Sequence, residues 1–290
     1  MRQLFATVSE LQRRLAACSY LADDGVSTAL FLAARLPQPL LLEGEPGVGK
    51  SELARALAEA GKMPFMRLQC YEGLDARDAL YEWNYLHQLL EVRTREAGAG
   101  AEAPDLFAPR FLIARPLLQA LQVGAGSRAV LLIDEIDRAD EAFEAFLLEF
   151  LADYAITIPE LGTVRAAEPP IVIITSNRTR ELHDALKRRC LYHWVAYPTV
   201  EQELAIVGAR APDVAPELAE AVVRAVRWLR GLDLQKPPGV AETLAWARAV
   251  AELGESQLTA DVIARTLGLV VKNYDDLQRV RALRYEGVGA

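Results

Sequence analysis

The segment 44–51 carries the most specific chemical pattern in the sequence, because it matches the spacing G-x-x-x-x-G-K-[ST] in full. Its residues are Gly44, Glu45, Pro46, Gly47, Val48, Gly49, Lys50 and Ser51. Glycines at this spacing let backbone N–H groups curve around phosphate oxygens, and the start of the following helix adds the positive end of its dipole. Lys50 would reach the β- and γ-phosphates of a nucleotide, and the Ser51 hydroxyl would bind Mg²⁺. The segment predicts a site for ATP and Mg²⁺; the alternative is a glycine-rich turn that happens to contain a lysine.

Two adjacent acids, Asp134 and Glu135, follow the buried apolar run 129–133. At the end of a strand beside a phosphate-binding loop, an aspartate would hold Mg²⁺ largely through water, together with Ser51. The neighbouring glutamate would polarise the water that attacks the γ-phosphate. We therefore predict that Asp134 binds the metal and that Glu135 is catalytic. The alternative is a strand that ends in solvated acids.

Three further polar residues complete the predicted catalytic set. Asn177 follows the apolar run 171–175, where its amide could hydrogen-bond the attacking water or the γ-phosphate, although asparagine is also common in turns. Arg188 and Arg189 lie at the end of a predicted helix, where cations are favoured by the helix dipole alone. Their functional interpretation is an arginine finger that reaches the γ-phosphate bound by a neighbouring subunit. Arg189 is the first choice for this role, and Arg188 is the second.

Strands and helices alternate along the first two thirds of the chain, which predicts an α/β fold with a parallel sheet covered on both faces. The predicted strands are 39–43, 65–70, 129–133, 171–175 and 192–197. The predicted helices of this part include 3–17, 26–35, 51–60, 141–154 and 180–189. After Pro198 we predict only helices, at 200–210, 215–230, 239–252, 259–269 and 272–284. The expected domains are a nucleotide-binding core, 1–198, and a helical lid, 199–290.

Two segments depart from this alternation. Residues 95–109 are rich in alanine, glycine and proline, which predicts a mobile loop. Residues 156–166 contain two short β-branched runs around a turn sequence, which predicts a hairpin.

The composition narrows the classes of function. The chain has 290 residues and a net charge of −8, and 52% of its residues are hydrophobic, which is typical of a globular protein. Excess acidity disfavours non-specific binding of nucleic acid. The 3 cysteines form no CxxC pair, so we expect neither a zinc knuckle nor a disulfide framework. We also expect no signal peptide and no transmembrane segment, and therefore a cytoplasmic protein; a peripheral position at the membrane stays open.

The order of these motifs resembles that of the AAA+ ATPases. More narrowly, LLLEGEPGVGKSELARALA, LLIDEIDRAD and the 156–166 hairpin resemble the MoxR family. The segments 68–85, 144–166 and 176–190 resemble its CoxD-like branch. The resemblance extends from about Leu21 to Arg248.

The resemblance implies a P-loop αβα sandwich with a five-stranded parallel sheet and a helical lid. It also implies a homo-oligomer, usually a hexameric ring, with ATP between subunits. Segment 71–93 would be the helix-2 insertion and 156–166 the pre-sensor-1 hairpin, both facing substrate. Members act as chaperones that remodel or mature another protein, typically with a von Willebrand A domain partner. CoxD-like members are linked with metal-centre assembly in molybdenum-containing carbon monoxide dehydrogenase.

One position departs from the family pattern. The family's lid commonly carries an arginine at the start of a helix, whereas Glu242 takes that place in PGVAET here. Arg248 lies six residues further, about 1.7 helical turns away, and is a poor substitute. A lid-borne cation at the nucleotide is therefore in doubt.

Several interpretations stay open at this level. Cys70 is either a buried strand residue or a sulfur or copper relay. Tyr81, Trp83 and Tyr85 either anchor a partner or pack the insertion onto the core. For the whole protein we predict an ATP-driven remodelling chaperone. The alternatives are a nucleotide-gated switch with slow hydrolysis and a DNA-directed motor.

Overall fold

The structure, a computed structural model, describes residues 4–96 and 105–283. Its strands are β1 (Leu40–Gly44), β2 (Phe65–Gln69), β3 (Tyr81–Trp83), β4 (Leu112–Ala114), β5 (Val130–Asp134), β6 (Ala155–Ile158), β7 (Gly162–Arg165), β8 (Ile171–Ser176) and β9 (Leu191–Val195). Five of them form a parallel sheet in the order β2-β5-β8-β1-β9. The predicted five-stranded α/β architecture is confirmed, with strand bounds shifted by one or two residues.

Thirteen α-helices lie in the described residues. They are α1 (Val8–Ala17), α2 (Asp24–Arg35), α3 (Lys50–Gly61), α4 (Ala76–Leu80), α5 (Tyr85–Glu96), α6 (Pro116–Leu121), α7 (Glu141–Asp153), α8 (Asp184–Arg189), α9 (Val200–Arg210), α10 (Pro216–Gly231), α11 (Val240–Glu252), α12 (Ala260–Thr266) and α13 (Tyr274–Ala282). None of these helices is long and apolar enough to cross a membrane.

The central strands are buried on both faces, which explains their continuous apolar runs. In β1, Leu41 packs with α6 and α7, whereas Leu40 and Leu42 pack with α1, α2 and α3 on the other face. Because the sheet is parallel, the carboxyl ends of β1, β5 and β8 meet at one edge. This edge is where the candidate site lies.

Two predicted helices begin later than the sequence pattern suggested. The first starts at Val8 because the Thr7 hydroxyl caps it, accepting from the Glu10 N–H at 3.1 Å. Helix α8 starts at Asp184 and not at 180. Arg180 is drawn away from a helical path because its guanidinium Nε donates to the Ala139 carbonyl at 3.0 Å. Side-chain bonds with the preceding loop therefore outcompete helix formation there.

The segment between β2 and β5 contains structure that the sequence did not predict. Strands β3 and β4 pair antiparallel, Tyr81 opposite Ala114, and helices α4 and α5 flank β3. Of the predicted mobile loop 95–109, residues 97–104 lie outside the described residues. Its first two residues end α5 and its last residue begins a 3₁₀ turn, Pro109–Phe111, so the prediction of a loop is wrong at both ends.

Strands β6 and β7 form the predicted hairpin, which is partly core. Ile156 and Ile158 are buried with α7 in the cluster on one face of the sheet. The tip and outer face, including Thr157, Glu160 and Thr163, are exposed. Only the outer face is therefore free to contact another molecule.

Residues 200–283 form the predicted helical region around their own apolar cluster. Trp246 is fully buried there, and its indole N–H donates to the Thr266 hydroxyl at 2.8 Å. Arg230 forms a buried double hydrogen bond with Glu203, at 2.6 and 2.8 Å, which joins α10 to α9. A separate core and a buried ion pair explain why this region holds its shape next to the sheet.

Candidate functional site

A cavity of about 420 Å³ opens where β1, β5 and β8 end. The phosphate-loop segment forms its floor, and the helical region forms one wall. The lining residues are Ser19, Tyr20, Leu21, Pro46, Gly47, Val48, Gly49, Lys50, Ser51, Glu52, Asp134, Glu135, Thr175, Asn177, Ile206, Arg210, Val240, Ala241 and Leu244. The structure thus brings together most of the residues predicted to bind ATP, with Glu135 and Asn177 beside them.

The loop 44–49 turns sharply from β1 into α3. Gly49 has φ 95°, a left-handed conformation that favours glycine, and α3 begins at the next residue. The Lys50 ammonium curls back and donates to the carbonyls of Gly44 and Glu45 at 2.6 and 2.8 Å. Burial lowers the pKa of Lys50 from 10.5 to about 8, and the nearby acids Asp137 and Glu45 oppose that shift. A phosphate group would supply the counter-charge that this buried lysine favours.

Asp134 lies at the centre of a polar network in the cavity and is 1% exposed. Its Oδ1 accepts from the hydroxyls of Ser51 and Thr175, both at 2.6 Å. Its Oδ2 accepts from the Arg67 guanidinium, at 2.9 Å from Nε and 2.6 Å from Nη2. Hydrogen bonds thus hold both carboxylate oxygens in fixed directions.

This donor set fits Mg²⁺. A serine hydroxyl and a carboxylate oxygen lie 2.6 Å apart at the cavity floor, and Mg²⁺ is usually held by one or two such groups together with substrate phosphates and water. Among the described residues, no group of three or more His, Cys, Asp or Glu side chains is placed to hold a metal ion. Ser51 and Asp134 are therefore the residues that would hold the ion, with a nucleotide present.

Glu135 follows in an unusual backbone conformation. Its φ is 56°, in the left-handed region that non-glycine residues rarely adopt, and its N–H donates to the Thr175 hydroxyl at 2.9 Å. Its carboxylate accepts from the Gln69 amide at 3.1 Å and lies 3.4 Å from Arg138. Such backbone strain is characteristic of functional positions, and here it turns Glu135 into the cavity.

The loop that carries Asn177 is tied to the loop that carries Glu135. The Oδ2 atom of Asp137 accepts from both the N–H and the hydroxyl of Thr179, at 2.9 and 2.7 Å. Asp137 is 3% exposed, and its other oxygen has no hydrogen-bond partner among the described residues. Asp137 thus fixes the separation of the two loops.

The helical region touches the phosphate loop directly. The Val240 N–H donates to the Gly47 carbonyl at 2.9 Å, and the backbones of Gly47 and Gly239 are so close that a Cβ at Gly239 would lie 2.7 Å from the Gly47 Cα. Glu242 stands at the family's arginine position, and its carboxylate accepts from the Gly239 N–H at 3.0 Å. Glu242 therefore caps its own helix.

Arg188 and Arg189 are not brought to this cavity. They end α8 and lie near Pro37 and Gln38, which precede β1, at the opposite edge of the sheet. The Arg189 guanidinium donates to the Leu151 carbonyl at 2.8 Å, whereas Arg188 is exposed. Neither arginine can complete the site of its own subunit in this geometry.

Several residues in or beside the cavity were not predicted from the sequence. Arg67 and Gln69 of β2 lie outside the cavity lining but contact Asp134 and Glu135, and the parallel pairing of β2 with β5 places them there. The Tyr20 hydroxyl lies 3.4 Å from the Gly49 carbonyl, and burial raises the pKa of Tyr20. Tyr20 and the lining residues of α9 come from segments without a local motif, so no pattern pointed to them.

The exposed fractions of Cys70, Trp83 and Tyr85 distinguish between the interpretations that the sequence left open. Cys70 directly follows β2 and is 1% exposed, and burial raises its pKa to about 12, as expected of a packed structural cysteine. Trp83 is buried, with its ring centroid 5.3 Å from that of Phe107, so it packs the insertion. Tyr85, in contrast, is 69% exposed.

Comparison with known proteins identifies the family of this chain. The family described as AAA domain (dynein-related subfamily) matches residues 39–190, which is more than half of the chain. The chain therefore belongs to the AAA family, whose members are nucleotide-hydrolysing ATPases.

The chain is also similar to individual AAA proteins. It is 28% identical over 243 residues to the ATP-dependent zinc metalloprotease FtsH 3 of Sphaerobacter thermophilus, covering 78% of this chain and 42% of that protein. It is 26% identical over 254 residues to the ATP-dependent zinc metalloprotease FtsH of a Sulfurovum species, and the match covers 83% of this chain and 33% of that protein. The chain thus spans less than half the length of these relatives.

The fold also matches solved structures of variants of RuvB from Thermotoga maritima. One has a TM-score of 0.51 at 18% identity and covers 95% of this chain and 76% of that chain. Another has a TM-score of 0.50 at 16% identity, and the match covers 99% of this chain and 80% of that chain. At this identity the likeness concerns the fold alone.

Proposed function

We propose that the protein is an ATP-hydrolysing AAA+ chaperone of MoxR type that remodels or matures a partner protein. One observation carries the proposal of ATP hydrolysis: Ser51 and Asp134, joined at 2.6 Å, line the same cavity as Glu135 and Asn177. Hydroxyl, carboxylate, base and amide thus surround one space beside the phosphate loop, which is what in-line attack of water on a γ-phosphate requires.

Each residue has a distinct part in the proposed reaction. Backbone N–H groups of 44–51 and the Lys50 ammonium hold the phosphates, and Lys50 exchanges the carbonyls of Gly44 and Glu45 for phosphate oxygens. Ser51, and Asp134 through water, would hold Mg²⁺, which supplies positive charge for the developing phosphoryl charge. Glu135 accepts the proton of the attacking water, and Asn177 orients that water. An arginine finger from a neighbouring subunit, Arg189 or Arg188, completes the charge balance.

The position of the arginines supports a ring. AAA+ proteins commonly assemble as rings, and a residue at one edge of the sheet can meet a γ-phosphate bound at the other edge only in a second copy. The proposal includes a hexamer, with residues 1–198 as the nucleotide-binding core and 199–290 as the lid. It also includes a cytoplasmic location, with a peripheral position at the membrane open.

The insertion 71–93 is proposed to face the partner protein. The side chain of α5 that faces the protein is polar: Gln88 is buried, and its amide donates to the Leu106 carbonyl at 2.6 Å. The helix exposes its apolar side chains: Tyr85 69%, Leu86 69%, Leu89 50% and Leu90 54%. Contiguous exposed apolar side chains are typical of protein-binding surfaces. The outer face of the 156–166 hairpin is the second proposed contact.

The partner proposed from the MoxR resemblance is a von Willebrand A domain protein. From the CoxD-like resemblance, the substrate proposed is a molybdenum hydroxylase such as carbon monoxide dehydrogenase, whose metal centre would be assembled with this chaperone. The resemblance of the segments 68–85, 144–166 and 176–190 supports this branch.

A charge substitution on α5 tests partner coupling. With both Leu86 and Leu89 changed to glutamate, we expect basal ATP turnover to stay unchanged, because the cavity is formed by other elements. Stimulation by a purified von Willebrand A domain partner should be lost. Leu253→Glu, at a lid leucine that is 54% exposed, is the matched control. If both variants lose stimulation equally, or neither does, α5 is not the partner surface.

A nucleotide-gated switch with slow hydrolysis is the second candidate. It is favoured by the bond from the Gln69 amide to the Glu135 carboxylate at 3.1 Å, which occupies an oxygen of the proposed base. Turnover by the assembled protein separates the two, because a remodelling machine must turn over many ATP molecules. A DNA-directed motor is disfavoured by the net charge of −8, and an absence of DNA-stimulated turnover would remove it.

A further inference from the structure

We infer that Arg210 is a nucleotide-binding residue, which exchanges its ion pair with Glu52 for a contact with the phosphate chain when nucleotide enters the cavity. The inference rests on the proposed function, because it takes ATP or ADP as the ligand of this cavity. Arg210 is the last residue of α9, yet it lines the cavity whose floor is the phosphate loop. Its Nη2 atom lies 3.0 Å from Oε1 of Glu52, the residue directly after Ser51.

Arg210 is the cation that the helical region supplies to the described cavity lining, where the other cation is Lys50. Glu242, at the position where a lid arginine was expected, is engaged by the Gly239 N–H. The helical region thus offers its positive charge from the end of α9 and not from the start of α11. Glu52 lines the same cavity as Lys50 and Ser51, so a guanidinium paired with Glu52 lies at the edge of the space for phosphate.

The pair between Arg210 and Glu52 can be broken at low cost. Both side chains are about one third exposed, at 33% and 36%, and ion pairs of such exposure stabilise proteins little. Glu52 also has a second cation, since Arg55 Nε lies 3.7 Å from its Oε2 atom. Loss of Arg210 therefore leaves Glu52 partnered. A phosphate chain carries more negative charge than one carboxylate, and charge-assisted bonds from arginine to phosphate are strong.

Only the side chain of Arg210 has to move. The Arg248 guanidinium donates to the Arg210 carbonyl, which holds the end of α9 against α11. Helix α11 is in turn fixed to the phosphate loop by the bond from Val240 to Gly47 at 2.9 Å. The backbone of Arg210 thus keeps its distance from the phosphates while the guanidinium changes partner.

Two substitutions with opposite expected effects test the inference. In Arg210→Gln, affinity for Mg–ADP should fall by about tenfold, because a charge-assisted hydrogen bond is lost. In Glu52→Gln, affinity should rise, because the competing carboxylate is gone and Arg210 is free. Arg210→Lys should recover part of the loss. Arg224→Gln, which breaks an exposed pair with Glu220 in α10, is the control and should bind ADP as the wild type does.

The measurement is the ADP dissociation constant by calorimetry, with thermal unfolding to show that each variant is folded. Unchanged ADP affinity in folded Arg210→Gln would overturn the inference. Equal weakening in Arg210→Gln and Glu52→Gln would also overturn it, because the pair would then act only as a clasp between the lid and the core. Failure of the wild type to bind ADP would instead contradict the proposed function.

Discussion

The Gly47 carbonyl in the phosphate loop accepts a hydrogen bond from the Val240 N–H at the start of α11, at 2.9 Å. No side chain mediates this contact, because Gly47 and Gly239 let the two backbones meet. A change in the loop on nucleotide binding must therefore reach the helical region directly. In an ATP-driven machine, this contact is a direct connection between the nucleotide site and the lid.

Gly239→Ala should weaken nucleotide binding while leaving the helical region folded. A Cβ there would lie 2.7 Å from the Gly47 Cα and 2.9 Å from its carbonyl carbon, so the loop or α11 must shift. Gly208→Ala in α9 is the control, because nothing lies within 4 Å of its Cβ position. The measurement is the ADP affinity of both variants. Equal affinities would show that the close contact of Gly239 with Gly47 does not matter for nucleotide binding.

Lys50→Ala should abolish detectable nucleotide binding. The substitution removes the ammonium that would neutralise the β- and γ-phosphates. The carbonyls to which Lys50 donates belong to Gly44 and Glu45 of the same loop, so thermal unfolding is the control that shows whether the variant is folded. Equilibrium binding of a fluorescent ATP analogue measures the effect, and near-normal affinity would count against the phosphate-loop interpretation.

Glu203→Ala should destabilise the helical region by about 3–5 kcal/mol, because it leaves the buried Arg230 guanidinium without its carboxylate. Glu203 also accepts from the Thr243 hydroxyl at 2.5 Å, so α9, α10 and α11 all lose a bond. Glu220→Ala, which removes an exposed partner of Arg224, should cost less than about 1 kcal/mol. Urea unfolding measures both values; equal values would show that burial does not set the strength of this pair.

Substitution of the arginine finger should reduce ATP turnover by on the order of 10³-fold while ATP binding by the monomer is kept. Both Arg189→Ala and Arg188→Ala are measured, because either arginine is a candidate for the finger. Arg189 contacts the Leu151 carbonyl of its own chain, whereas Arg188 is exposed. Specific activity of the wild type should rise with protein concentration, since a second chain completes each site.

Mixed rings show in which chain the arginine acts. An arginine variant mixed with Glu135→Gln should regain part of the activity, because some interfaces then combine an intact base with an intact arginine. No recovery in rings shown to be mixed would mean that the arginine acts within its own chain or not at all.

The sequence predicted the sheet and the phosphate site because both depend on local patterns. The strands end at Gly44, Asp134 and Ser176, each one residue past its predicted end, and the parallel arrangement brings these ends to one edge. Because the central strands are buried on both faces, their apolar runs leave few alternatives to a parallel sheet covered by helices. The contacts of the helical region with the cavity could not be predicted, because Arg210 and Glu52 are 158 positions apart and neither belongs to a motif.

The insertion could not be predicted for a different reason. Trp83 of β3 pairs with Leu112 of β4, and α5 lies between these two strands in the sequence, so the pairing is not local. Helix α5 also buries Gln88 and exposes Leu86, which reverses the pattern from which helix orientation is inferred. The hairpin was predicted, but its inward residues Ile156 and Ile158 make deletion of the whole segment damaging to the core. Changes at its exposed tip, such as Glu160→Lys, are the better probe.

The most direct test of the account is ATP turnover and ATP binding by Glu135→Gln, measured beside the surface variant Glu141→Gln. The glutamine keeps the shape of the side chain but cannot accept a proton from water. We predict wild-type ATP affinity and a loss of turnover of about 10²–10⁴-fold in Glu135→Gln, and wild-type values of both in Glu141→Gln. Wild-type turnover in Glu135→Gln would contradict the account, because Glu135 would then be only a solvated acid at the end of a strand.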